Sequence, residues 1–207
     1  LVTDWATPEN ARLVSGAVAH IIGSEIAETQ EGDALSRRNY LRRIVGKTAV
    51  LFALCFHVGA TESEATPDPM RVQALRRVGY NLGVGFQIVD DILDLFGDAR
   101  RTGKPTGTDL RAGVATLPII LAMAGTQRAR VRRLMSAARA TAPIPGLGGR
   151  ARRRLADGLD RTGALAAART VVDTYTMRAH RAIDALPDTP ERATLREIAE
   201  ALIDRAS

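Results

Sequence analysis

With one cysteine in 207 residues, Cys55, the chain has no intramolecular disulfide framework and no zinc site built on thiolates. Aromatic residues are scarce at 4%, while Ala, Leu, Arg and Gly dominate, a composition that leans toward helix. Lysine is nearly missing: 27 of the 29 basic side chains are arginine, and only Lys47 and Lys104 carry an ammonium group. No apolar run is long enough to cross a bilayer, since the longest, Ala49 to Ala60, is short and interrupted by His57. The opening Leu1-Val2-Thr3-Asp4-Trp5 shows no basic stretch followed by an apolar one, so no signal peptide is visible. It also has no initiator Met, from which we expect a processed or truncated chain. What is present is ordinary for a folded domain: 45% hydrophobic and 25% charged residues, in a length that suits one domain over 1–207.

The net charge of +6 is uneven, with 9 basic and 13 acidic side chains in residues 1–99 and 20 and 10 in residues 100–207. A basic half invites a nucleic-acid reading. Its arginines, however, are spread over several predicted helices and interleaved with Asp and Glu, and no helix-turn-helix, finger or RNA-binding signature stands out. A solvated helix surface and no nucleic-acid partner are therefore expected. The two lysines are either what a coding bias toward arginine and chance left behind, or positions that need a compact, mobile point charge rather than a planar fork.

Periodicity predicts helices nearly throughout. Thr7-Pro8-Glu9 reads as an N-cap followed by Pro at the first helical position, opening a helix to about Ala27. Further helices are predicted over Ser36–Gly59, Pro69–Phe96, Thr116–Gly125 and Gln127–Ala140, with three more from Arg150 onward divided near Gly163 and Pro187. Asp98–Gly113 reads as a polar loop and Thr141–Gly149 as a break. No period-2 strand series appears. The fold class is all-α, and a helical bundle is the simplest architecture.

Two of these helices carry unusual polar residues. Pro69–Phe96 is apolar on so much of its circumference that it should be buried, yet it holds Gln87, Asp90, Asp91 and Asp94. At 100° per residue Gly83, Gln87, Asp90 and Asp94 fall within about 60° of one another, with Asp91 flanking. Gly83 on that face suggests room beside the carboxylates. Carboxylates on a buried helix need cations facing them. Those cations are structural arginines or a hard divalent ion such as Mg²⁺, which takes oxygen ligands and is commonly held by one or two carboxylates plus phosphate oxygens. On Ser36–Gly59, Lys47 sits within the stripe Tyr40, Ile44, Leu51, Leu54 and Val58, followed by the hydroxyl of Thr48. An ion pair or an anion, including a metal-bound phosphate, would suit it. Lys104 lies in Gly103-Lys104-Pro105-Thr106-Gly107-Thr108-Asp109. This is not a P-loop, because five residues separate Gly97 from Gly103 and Pro105 replaces the Ser or Thr after Lys. It reads as a surface loop or as a lid that brings Lys104 onto phosphate.

The runs Gly83-x-x-Phe86-Gln87-x-x-Asp90-Asp91-x-x-Asp94, Gly103-Lys104-x-x-Gly107-x-Asp109-Leu110 and Gly113-x-x-Thr116-Leu117-Pro118 resemble those of the trans-type polyprenyl diphosphate synthases. The segment from Tyr40 through Lys47-Thr48-Ala49 to Gly59-Ala60 resembles the same family's Lys-Thr helix, and Gly163-Ala164-Leu165 and Ala182 to Pro187 fit it as well. The resemblance covers nearly the whole chain. It implies a helical bundle of the isoprenoid synthase type around an apolar cavity, usually a homodimer, that condenses isopentenyl diphosphate onto an allylic diphosphate with Mg²⁺. Carried over, Asp90, Asp91 and Asp94 bind the metal, Lys47 and Lys104 contact the allylic diphosphate, and Thr48 and Gln87 sit beside the developing carbocation. A cytoplasmic location and peripheral membrane contact for a long product are also implied.

Two features depart from the family's pattern. Its other aspartate-rich motif, with a following Arg pair, has no counterpart before Lys47, so the family's N-terminal helices are expected to be absent and the 207 residues alone inactive. Val114 stands where a lysine often follows the Gly113 motif's glycine. The alternatives are a non-catalytic partner subunit of a heteromeric synthase, a terpene cyclase of the same fold, and a helical nucleic-acid binder. Paired Lys47 and Lys104 argue for chain elongation over cyclisation.

Overall fold

The computed structural model of the protein describes residues 8–30, 36–62, 66–97, 106–141 and 148–204. Among them there is no strand, and the helices are α1 (Pro8–Gln30), α2 (Arg37–Ile44), α3 (Val50–Glu62), α4 (Pro69–Phe96), α5 (Thr108–Ala112), α6 (Leu117–Ala124), α7 (Arg128–Thr141), α8 (Gly148–Asp160), α9 (Ala164–Asp184) and α10 (Pro190–Asp204). Thr7, Lys104 and most of the predicted loop and break around residues 98–105 and 142–147 lie outside the described residues.

The central element, α4, starts and stops where its sequence says it should. The Asp68 side chain accepts a hydrogen bond from the Met70 N–H, Pro69 takes a position whose N–H would have no helical partner, and Gly97 closes the helix through a 2.8 Å bond to the Leu93 carbonyl. It packs along α3 on one side and α9 on the other. Val78, Leu82, Val84, Ile88 and Ile92 are buried in a core shared with Tyr40 and Ile44 of α2, Leu117 and Ile120 of α6, and Val172 and Ile183 of α9. A second core gathers Leu95, Leu110, Ile119, Val131, Met135, Leu155 and Leu159 under the α7–α8 pair.

The single helix predicted over Ser36–Gly59 is interrupted. Ser36 caps it as a side-chain acceptor from the Asn39 N–H, and it runs three residues further, to Glu62. Residues Val45–Ala49, however, form a π-helical turn, closed by the bond from the Val50 N–H to the Val45 carbonyl. One extra residue in the turn carries Lys47 and Thr48 out of the register that a regular helix would impose; such turns are frequent at functional sites. Taken through the turn, Arg37–Glu62 is long and apolar enough to cross a membrane by length and composition, and here it lies against α4.

Gly79 and Gly83 of α4 explain how closely the two helices approach. A Cβ at Gly79 would stand 2.6 Å from the Phe52 carbonyl oxygen and 2.8 Å from the Phe56 ring, and one at Gly83 would stand 2.7 Å from Ala49 Cα. The space at Gly83 is thus filled by the π-turn and not left open beside the carboxylates.

Gly79→Ala should destabilise the chain by about 1–3 kcal/mol, because the methyl group meets backbone that cannot move aside. Gly59→Ala on α3, where nothing lies within 4 Å of an added Cβ, should instead stabilise by about 0.5–1 kcal/mol through helix propensity. Urea midpoints that moved in the same direction for both variants would contradict the close approach.

Candidate active site

Four side chains from α2, the π-turn and α4 form one continuous hydrogen-bonded chain. The Tyr40 hydroxyl donates to Asp91 Oδ2 at 2.8 Å, Gln87 Nε2 donates to Asp91 Oδ1 at 3.0 Å, and Thr48 Oγ1 donates to Gln87 Oε1 at 2.7 Å. Tyr40 is 1% exposed and Asp91 4% exposed, so the chain crosses the core and reaches the surface at the π-turn. Each link fixes the next: Asp91 accepts from the Gln87 amide nitrogen, which points the amide oxygen at Thr48, and the Thr48 proton is committed to that oxygen.

Burial dominates the electrostatics of Asp91. It raises the carboxyl from 3.8 to about 7, against the lowering effect of the hydrogen bonds from Gln87 and Tyr40; Asp109 adds to the rise and Arg43 opposes it. The Tyr40 phenol is held well above its ordinary value, first by burial and then by the Asp91 charge. The guanidinium of Arg43 lies 5.5 Å from the centre of the Tyr40 ring and donates to the Ala115 carbonyl at 2.9 Å, fastening the segment before α6 to α2.

Asp94 is held differently. Its two carboxylate oxygens accept from the backbone N–H groups of Thr108 and Asp109 at 3.0 and 3.1 Å, and its carbonyl accepts from the Gly107 N–H at 2.8 Å. Gly107 at φ 79° and Gly113 at φ 82° make the left-handed turns that begin and end α5. The turn that opens α5 is therefore docked onto the last turn of the aspartate helix, with Asp109 brought beside Asp94.

The expected site residues fall into three groups. Thr48, Gln87 and Asp91 are drawn together with Tyr40, while Asp90 and Asp94 lie one turn apart on α4 with Asp109 close to Asp94. Lys47 is exposed on the π-turn. Lys104 lies outside the described residues. Asp91 is the most buried of the three aspartates, and both of its oxygens face donors in the core. Among the described residues, no three Asp, Glu, His or Cys side chains converge as a metal cluster. Asp90 and Asp94, one turn apart and less buried than Asp91, are carboxylates of the kind that hold Mg²⁺ when phosphate oxygens complete its shell. Sequence reasoning gave Tyr40 no chemical role. A tyrosine on a buried stripe, whose hydroxyl must find a partner, was the available signal. The backbone donors of Thr108 and Asp109 carry no signal in sequence.

Toward the N-terminal half of α4, below Gln87, α1, α3 and α4 line a cavity of about 370 Å³ with Leu13, Ala17, Ala53, Leu54, His57 and Tyr80 among its walls. Both imidazole nitrogens of His57 are buried without a hydrogen-bond partner.

A family model described as polyprenyl synthetase matches residues 1–143. Among curated proteins, the chain is 30% identical over 200 residues to heptaprenyl diphosphate synthase component 2 of Geobacillus stearothermophilus, covering 96% of this chain and 59% of that protein. It is 31% identical over 203 residues to nonaprenyl diphosphate synthase of Mycobacterium tuberculosis, covering 96% and 58%. Among solved structures, a decaprenyl diphosphate synthase from Rhodobacter capsulatus superposes with a TM-score of 0.81 at 32% identity, covering 99% of this chain and 62% of that one. A polyprenyl synthase from Caulobacter crescentus CB15, complexed with calcium and isoprenyl diphosphate, gives a TM-score of 0.81 at 30% identity, with 99% and 61% covered. The chain thus spans about three fifths of the length of these relatives.

The Asp91 shift makes stability depend on pH. Folded Asp91 keeps its proton up to about 7, while an unfolded aspartate loses it near 3.8. Between these values the folded chain binds more protons, so this group's contribution falls as pH rises from about 4 to about 7 and levels off above. Asp91→Asn, which mimics the protonated acid, should flatten that part of the profile in metal-free buffer. Urea midpoints at intervals of pH would show it; equal slopes in both proteins would contradict the assignment.

Proposed function

The chain belongs to the polyprenyl synthetase family, and on that premise we propose that it carries the prenyltransferase chemistry of chain elongation, the Mg²⁺-dependent condensation of isopentenyl diphosphate with an allylic diphosphate. The observation that carries this reading is the polar chain from Tyr40 to Thr48 ending beside Asp90, Asp94 and Lys47 at one end of an otherwise apolar helix pair.

Each part has a task in the proposed reaction. Asp90 and Asp94 would hold the metal, whose charge when bound neutralises the departing diphosphate. Lys47, and Lys104 as the family resemblance implies, would add ammonium charge to the same phosphates, and Lys is the residue that can do so as a compact point charge. Thr48 directs its proton at Gln87. Its remaining lone pairs, and those of the Gln87 amide oxygen, would supply partial negative charge to an allylic cation, provided water is excluded. Asp91 and Tyr40 set that orientation from inside the core. On this reading Asp91, the most buried of the three aspartates, would act as a support for that orientation rather than as a metal ligand. The cavity between α1, α3 and α4, whose walls are mostly apolar but include Gln73, Arg76 and Arg77, would take the hydrocarbon tail.

A second reading is favoured by the names of two relatives. Heptaprenyl diphosphate synthase component 2, from Geobacillus stearothermophilus and from Bacillus subtilis, is by its name one component of a synthase with more than one. In this reading the chain acts within a larger assembly.

Calorimetric titration of the chain with an unreactive allylic thiodiphosphate tests the site. Binding should appear only with Mg²⁺, and Asp90→Ala should weaken it at least about tenfold with the helical spectrum unchanged. Metal-independent binding, or none, would count against the proposal. With labelled isopentenyl diphosphate and allylic primers, the 207 residues alone should show negligible condensation, because only one aspartate-rich motif is present. A rate on the order of 1 per second would show instead that these residues suffice.

A further inference from the structure

The net charge of the protein has a single origin. Residues 128–160, which hold α7 and α8, contain nine arginines and two aspartates, net +7; the rest of the chain, with 20 basic and 21 acidic side chains, is net −1. Two of the nine have structural partners: Arg139 donates to the Gly113 carbonyl and Arg152 to the Leu95 carbonyl. The other seven, Arg128, Arg130, Arg132, Arg133, Arg150, Arg153 and Arg154, are all exposed. None of their guanidinium groups makes an ion pair or a side-chain hydrogen bond among the described residues, and neither do Asp157 and Asp160. The contrast with α10 is direct, for there Arg192 pairs with Asp188 and Arg196 with Asp184.

We propose that the α7–α8 pair is a docking surface for an anionic lipid bilayer. Two packed helices of 14 and 13 residues make a platform about 20 Å long. The inward residues Val131, Met135, Leu155 and Leu159 hold it to the second core, so the arginines are displayed from a rigid base. Seven like charges at this spacing repel one another, and a broad surface of opposite charge relieves that repulsion. A headgroup layer meets a broad two-helix platform on many points at once. A duplex is read instead by one element entering a groove, whereas here the exposed arginines are shared between two packed helices. Each basic residue held near an anionic leaflet contributes roughly fivefold to binding.

The platform's position gives it a use. Arg152 ties α8 to the last turn of α4, and Arg139 ties α7 to the glycine that closes α5, so both helices are anchored at the aspartate end of the central helix. On the synthase reading proposed above, and only there, docking would set the mouth of the site at the bilayer surface, where a diphosphate with a water-insoluble tail can leave. The docking itself rests on charge and geometry alone.

The experiment is vesicle flotation of the 207-residue chain, with vesicles of phosphatidylcholine alone or with phosphatidylglycerol added. Binding should require phosphatidylglycerol and weaken steeply between about 0.1 and 0.5 M salt, as charges a Debye length apart are screened. Arg130→Glu, Arg133→Glu, Arg150→Glu and Arg154→Glu combined should lower affinity at least about tenfold, while Arg37→Glu with Arg38→Glu on α2 should leave it within about threefold. The same four positions changed to Gln decide the matter if the Glu variant loses its helical spectrum. No binding to phosphatidylglycerol vesicles, or equal loss in the α2 control, overturns the proposal. Tighter binding to a DNA duplex than to these vesicles also overturns it and makes the platform a nucleic-acid surface. None of these readouts depends on turnover, so failure here and failure of the synthase reading are separate results.

Discussion

A carboxyl group buried on α4 between Ile88 and Ile92 must be met by donors or lose its charge, and much of the site is arranged around that requirement of Asp91. Tyr40 answers from α2 and Gln87 from one turn earlier on α4. Once Gln87 has turned its amide nitrogen toward Asp91, its oxygen can only face the π-turn, and Thr48 is there to donate to it. Three helical segments are thereby registered against one another by directional bonds, whereas the apolar contacts around them would tolerate a slip. The orientation of the outermost hydroxyl is decided by a carboxyl in the core.

That arrangement depends on a close approach between helices. Gly79 and Gly83 let Phe52 and Ala49 come to distances at which any Cβ would collide. The π-turn sits at this contact, so the irregular turn and the missing side chains are two halves of one fit. A regular helix through residues 45–49 would rotate Thr48 away from Gln87 or separate α3 from α4. The turn also leaves Lys47 exposed beside the same site, a long ammonium arm on a rigid base.

Charge is partitioned as clearly as packing. The carboxylates of Asp90, Asp94 and Asp109 gather at the C-terminal end of α4, and the arginines gather on the two helices fastened to that same end. Asp94 is stabilised by the backbone N–H groups of Thr108 and Asp109, not by the nearby arginine helices.

The sequence by itself determined the helices and their limits where end signals are local. Pro69 to Phe96 was legible to the residue because Asp68, Pro69 and Gly97 act on their own turns, and the all-α class followed from a 3.6-residue period sustained along the chain. It also singled out Lys47, Thr48, Gln87 and the aspartates as odd members of apolar helices, and their spacing marks the family. Only the tertiary structure decided how each aspartate is held. Asp90, Asp91 and Asp94 are equivalent as letters, and they separate only when Tyr40, 51 residues away from Asp91, and Asp109, 15 residues away from Asp94, are brought against them. The π-turn likewise has no local signature, and Gly83 read as open space until the segment that fills it was in place. Both are decided by contacts between α3 and α4, and a contact between helices is a property of two surfaces, which neither segment encodes alone.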